Sequence, residues 1–238
     1  MLLSNQKVLI SGCGLSWSDQ KSIVWSKILK IAGINILDVG RSAVSNQWII
    51  NKTILTLFKD QNINIAFVQL TAVGKLDVEL TPKRIKELIE KDSLRNFSFD
   101  NVWPSSYSTE HISKELWQKW LYSPSLEIED LCCKILLLSQ WCKSKNISLI
   151  IVQGYKIPWN NKQKNMLKDI IFDIDKSIYQ QYTESDHYED TELIDTLCLP
   201  FQFVLARQFI HLIIPNDNNK RSKILEKINQ IENATIKA

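Results

Sequence analysis

The chain has 238 residues, 45% of them hydrophobic and 23% charged, with a net charge of +3. This length suits one sizeable domain with a well-buried core, and so small a charge, carried by scattered lysines and arginines, argues against a nucleic-acid partner. Five cysteines, Cys13, Cys132, Cys133, Cys142 and Cys198, show no paired-CxxC spacing. That argues against a zinc site or a disulfide framework and for buried thiols in a reducing compartment. The opening residues MLLSNQKVLI lack the basic region and long apolar core of a signal peptide, and no apolar run is long enough to span a bilayer. The expectation is a soluble cytoplasmic protein with no membrane contact; its oligomeric state stays open.

Taken in chain order, the apolar run 8–10 ends in the tight Ser11-Gly12-Cys13-Gly14. Helical spacing follows over 22–32, with Ile23, Ile28 and Ile31, and stops at Gly33, a fitting C-cap. A second strand pattern, 34–39, closes at Gly40, and 48–59 repeats the helical spacing. A third strand pattern covers 63–70. Residues 81–124 break this rhythm with a charged helix, an irregular run and a short helix holding Trp117 and Trp120. They read as an insertion over the carboxyl ends of the strands. The longest helical pattern, 126–145, opens with Glu127, Glu129 and Asp130 and closes with Lys143 and Lys145, a charge order that suits the helix dipole. A fourth strand pattern, 147–153, precedes helices expected at 162–181, 201–214 and 220–236, with an acidic loop at 183–191. The alternation predicts one domain over 1–238: an α/β, three-layer α/β/α fold around a doubly wound, mostly parallel sheet. Residues 217–238 form a polar terminal helix. In such sheets chemistry sits just past the carboxyl ends of the strands.

The residues at those ends carry a resemblance. Gly12-Cys13-Gly14-Leu15-Ser16 follows the first strand, Asp38-Val39-Gly40-Arg41-Ser42-Ala43-Val44-Ser45-Asn46 the second, and Val68-Gln69-Leu70-Thr71 closes the third. In order and spacing the chain resembles the SGNH/GDSL hydrolase superfamily. It is closest to a divergent branch found near surface-polysaccharide genes and in phage genomes, which opens with G-C-S-F-T and continues to a small-residue run ending S-N. The resemblance covers residues 7–80 and 126–213, and it implies the flavodoxin-like SGNH fold with a lid-like insertion and no cofactor. The family's chemistry is nucleophilic acyl transfer. A serine attacks an ester, a histidine with an aspartate takes the proton, and backbone N–H groups with an asparagine amide hold the oxyanion.

Carried over by position, the nucleophile falls on Gly14, the second-block donor on Gly40, and the third-block asparagine on Thr71. The terminal D-x-H-P falls on Leu197-Cys198-Leu199-Pro200. The resemblance therefore implies the scaffold without its charged machinery: a degraded relative binding a glycan, an acylated sugar or a protein partner. The alternative is an active esterase with relocated residues, Ser16 as nucleophile and His187 as base. Ser11 and Ser16 read more simply as helix caps, and Cys13 as a small buried hydrophobe. His211 reads as a packed helix histidine, and His111 lies in the insertion. The acidic loop around His187, with Asp186, Glu189 and Asp190, lacks the spacing of an EF-hand, so no metal site is expected. The binding set expected at the strand ends is Gly14, Gly40, Asn46, Thr71 and Gln153, with Trp17 and Trp48 as aromatic surface. Trp103, Trp159 and Lys75 are further candidates. A nucleotide-binding reading finds neither GxGxxG nor GxxxxGK[ST] in the first turn.

Overall fold

Among the described residues four hydrogen-bonded strands set the architecture: β1 (Lys7–Ser11), β2 (Asn35–Asp38), β3 (Ile63–Leu70) and β4 (Ser148–Gln153). All pair in parallel, in the order β2-β1-β3-β4. The computed structural model describes residues 6–12, 24–41, 44–74, 123–186, 188 and 198–236. Of the insertion expected at 81–124, residues 81–122 lie outside them, and Ser123 and Pro124 begin the helix that follows. The helices are α1 (Trp25–Ile31), α2 (Asn46–Lys59), α3 (Pro124–Ser144), α4 (Asn161–Leu167), α5 (Ile178–Thr183), α6 (Leu199–Ile213) and α7 (Asn218–Ile236). The fold is α/β, and its strand order is the flavodoxin-like one.

Right-handed crossovers explain the layers. The chain moves outward from β1 to β2, then back across β1 to β3 and on to β4, so α1 lies on one face and α2 and α3 on the other. After β4 it returns to the first face, where α6 packs on α1 and α7 on α6. The core strand β3 is buried along nearly its whole length, which accounts for its unbroken apolar run. On its α1 face Phe67 meets Trp25 of α1 and Phe209 of α6, with ring centroids 4.6–4.9 Å apart.

Local chemistry fixes the helix ends. Gly33 adopts φ 101, a left-handed value that suits glycine, just after α1. Ser45 Oγ accepts from the Trp48 N–H at 3.0 Å and caps α2, while Asn160 and Gln163 form a reciprocal capping box on α4. The N-terminus of α1 has no local cap; Gln202 Oε1 of α6 accepts the Trp25 N–H at 3.0 Å instead.

Three expectations need correction. The single helix expected over 162–181 is two, α4 and α5. Between them Ile171 forms a parallel bridge to Ile151, and the Phe172 N–H donates to the Ile151 carbonyl at 2.8 Å. Pairing with the exposed edge of β4 competes with the helix there, with Asp173 in a left-handed turn at φ 48. His211 is exposed on α6, where it sits in the last turn and suits the dipole. Of the α3 thiols, Cys132 and Cys142 are buried but Cys133 is exposed. Burial pushes the Cys142 thiol up to about 11.

Truncating one ring of the aromatic cluster removes contacts to two layers at once. Phe209→Ala is expected to cost about 3–5 kcal/mol, read as a shift in the urea unfolding midpoint. A loss below about 1 kcal/mol would mean that the cluster does not anchor α6.

Candidate functional site

The winding reverses between β1 and β3, so their carboxyl ends open adjacent to one another. This is the switch point where open α/β sheets bind ligands. Three peptide hydrogen bonds carry the strand pairing past this edge. The Val39 N–H donates to the Ile10 carbonyl at 2.9 Å and the Arg41 N–H to the Gly12 carbonyl at 3.0 Å. The Gly154 N–H donates to the Leu70 carbonyl at 2.8 Å. Gly40, Asn46, Thr71 and Gln153 therefore gather at one edge, beside Gly12. The first turns of α1 and α6 lie at the same edge, joined by the Gln202–Trp25 bond. Cys198 and Leu199 stand at the start of α6. Gly14, Ser16, Trp17, Lys75, Trp103, His111 and His187 lie outside the described residues.

Thr71 is fully buried at the end of β3. Its backbone is clamped by Asn46: the Thr71 N–H donates to Asn46 Oδ1 at 2.8 Å, and Asn46 Nδ2 donates to the Thr71 carbonyl at 3.0 Å. Asn46 is itself 2% exposed in the first turn of α2. One N–H of its amide and its carbonyl oxygen are thus used in holding the Thr71 backbone. Ser11 Oγ donates to the Ile49 carbonyl at 3.3 Å, which ties α2 to β1 as well. Among the described residues the Thr71 hydroxyl finds no hydrogen-bond partner. A buried polar atom left so costs about 1–3 kcal/mol.

Gly40 is not the open donor expected. Its N–H donates to Asp38 Oδ1 at 2.9 Å, and Ser26 Oγ of α1 donates to Asp38 Oδ2 at 2.9 Å. Desolvation raises the Asp38 carboxyl above its ordinary 3.8, against the pull of the Gly40 N–H, the Ser26 hydroxyl and the Lys30 charge. Because the residue keeps part of its surface in solvent, the effect is modest.

Gln153 serves the loop beyond it. Its Oε1 accepts from Trp159 Nε1 at 2.9 Å and the Ile157 N–H at 3.2 Å, and its Nε2 donates to the Ile174 carbonyl at 2.7 Å. Trp159 is thereby core packing, whereas Trp48 is half-buried, with the Lys52 ammonium 6.0 Å from its ring centroid. At Gly154 a Cβ would come within 2.7 Å of the Leu70 carbonyl and 2.9 Å of Gln69 Nε2, so only glycine fits. Two grooves of about 570 Å³ flank the edge. One lies between α3 and α4, along Ile128, Cys132, Pro158 and Met166, and the other between α1 and β2, along Ser26, Lys30 and Asp38. Among the described residues no cluster of His, Cys, Asp or Glu could hold a metal ion, and no helix is long and apolar enough to cross a membrane.

Sequence reading missed Asp38 as a partner of Gly40, Glu127 as the acceptor of the Gly74 N–H at 2.8 Å, and Gln202 as the cap of α1. Only Gln202 had a signal: a glutamine set among Phe201, Phe203 and Val204 needs a buried partner.

No protein-family model matches this chain, and no curated protein matches it. Among solved structures it is similar to the psychrotrophic esterase EstA from Pseudoalteromonas sp., in a structure inhibited by monoethylphosphonate. The identity is 12% over 96% of this chain and 99% of that chain, with a TM-score of 0.46. It is similar to TesA at 10% identity over 94% and 96% of the two chains, with a TM-score of 0.35. Likeness at this level carries neither family membership nor chemistry to this chain.

Two outcomes are expected. Asn46→Ala strips the Thr71 backbone of two buried bonds and should lower stability by about 1–3 kcal/mol, whereas Thr71→Val, which loses no bond to a described residue, should leave it unchanged or raise it. Equal losses in chemical denaturation would contradict the clamp. For Asp38, a raised folded value means that its stability contribution is full below 3.8 and is lost as pH rises through that raised value. The stability of the wild type relative to Asp38→Asn should therefore fall across that window in unfolding curves taken at successive pH. A difference that grows with pH would reverse the assignment.

Proposed function

We propose that this chain binds a neutral, oxygen-rich ligand of the acylated-sugar class at the β1–β3 edge, on an SGNH-hydrolase-like scaffold, without hydrolysing it. The observation that carries this reading is the fully buried Thr71 hydroxyl, without a partner among the described residues at the switch point and held in place through Asn46. Its unmet donor and acceptor would be satisfied by a ligand hydroxyl or carbonyl group that seats against the end of β3 and uncovers it. The half-buried Trp48 ring supplies an apolar face of the kind that packs against sugars.

The same edge opposes hydrolysis. Acyl transfer builds an oxyanion that needs unengaged N–H donors. Here the Gly40 N–H is bonded to the carboxyl of Asp38, whose ionised form would repel a developing negative charge. The nucleophile position of the resembled family is Gly14, which has no side-chain oxygen or sulfur.

The protein is expected not to hydrolyse aryl acetates above a heat-denatured control and to resist a serine-directed fluorophosphonate. Stoichiometric labelling at Ser16 would overturn this and establish the relocated esterase, with His187 tested as its base. A panel of acetylated sugars is expected to change tryptophan fluorescence and raise the melting temperature. Thr71→Val should weaken that binding by about 0.5–1.5 kcal/mol. A panel without effect on either signal would remove ligand binding as the function of this edge.

A further inference from the structure

The outer face of α3 carries a regular seam. Leu126, Asp130, Cys133, Leu137, Gln140 and Ser144 follow one another at alternating spacings of four and three, the repeat that keeps one side of a helix facing a partner helix. All six are exposed, Leu126 at 67% and Leu137 at 70%. Beside the seam, Leu55 and Phe58 of α2 are exposed at 57% and 62%, and the Phe58 ring stacks on Trp141 of α3 with centroids 4.9 Å apart. Large apolar residues gathered on one face of a surface mark a docking site.

The charges on α3 say what docks there. Glu127, which accepts from the Gly74 N–H, Glu129 and Asp130, which pairs with Lys134 of the same helix, stand in its first turns, and Lys143 and Lys145 at its end. A second α3 laid antiparallel across the seam would set acid against lysine at both ends and oppose the two helix dipoles. A parallel arrangement would set acid against acid. The antiparallel register is also self-complementary about its midpoint: Cys133 meets Leu137 of the second copy, Asp130 meets Gln140, and Leu126 meets Ser144. Self-complementarity of one patch about a two-fold axis is the condition for an isologous dimer.

We infer that this chain forms a two-fold symmetric dimer through antiparallel packing of α3 on α3, flanked by Leu55 and Phe58. The interface lies on the outer face of the α2–α3 layer and leaves the β1–β3 edge open in both copies. It stands independently of the ligand proposed there.

The test uses the full chain. Sedimentation velocity over a concentration series is expected to show a monomer–dimer equilibrium. Leu137→Asp, at an exposed position, should abolish the dimer while leaving the circular dichroism spectrum intact. A second variant reads the register: Leu137→Cys under mild oxidation should give a disulfide-linked dimer on a non-reducing gel, lost when Cys133→Ser is added. A wild type that stays monomeric at its highest soluble concentration would overturn the proposal. So would a dimer that survives Leu137→Asp, or a crosslink that persists without Cys133.

Discussion

Trp25, Phe67 and Phe209 come from α1, β3 and α6, and every pair of their rings lies within van der Waals reach. Each ring is buried by the other two, so no one of the three elements keeps its place without its partners. The cluster sits on the face of β3 that leads to the switch point. It brings the first turn of α6 beside that of α1, and Gln202 reaches the otherwise uncapped Trp25 N–H from that position. One apolar contact thus decides where a residue nearly the whole chain away stands relative to the end of β1.

Above that packing, most of the polar groups at the carboxyl edge are turned inward. Asn46 holds the Thr71 backbone, Asp38 holds the Gly40 N–H, and Gln153 holds the loop to Trp159. A set of donors and acceptors so engaged is rigid, and a rigid site binds with little ordering cost. Thr71 differs: its backbone is fixed, while its hydroxyl bonds to no described residue.

The strand segments were legible from the amino-acid order because buried parallel strands read as short β-branched runs, and 63–70 is the clearest. The helices before and after them followed from 3.6-residue spacing and from caps such as Ser45 and Asn160. The break in 162–181 was not legible. No proline or glycine marks it, and the bridge from Ile171 to Ile151 exists only once β4 offers an unpaired edge. The exposure of Cys133 and His211 was equally hidden, since helical spacing fixes which residues share a face but not which face meets the core.

By itself the sequence determined the parallel α/β class and the strands whose ends define the edge. These follow from local periodicity and residue identity, which need no distant partner. Only the tertiary structure decided what each polar residue at that edge does. Asn46 read as a donor to a ligand and Gly40 as an open N–H, because a sequence shows which groups can form hydrogen bonds but not which partner comes within 3 Å. Residues 25 positions apart in the chain, Asn46 and Thr71, meet only when β3 lies beside β1.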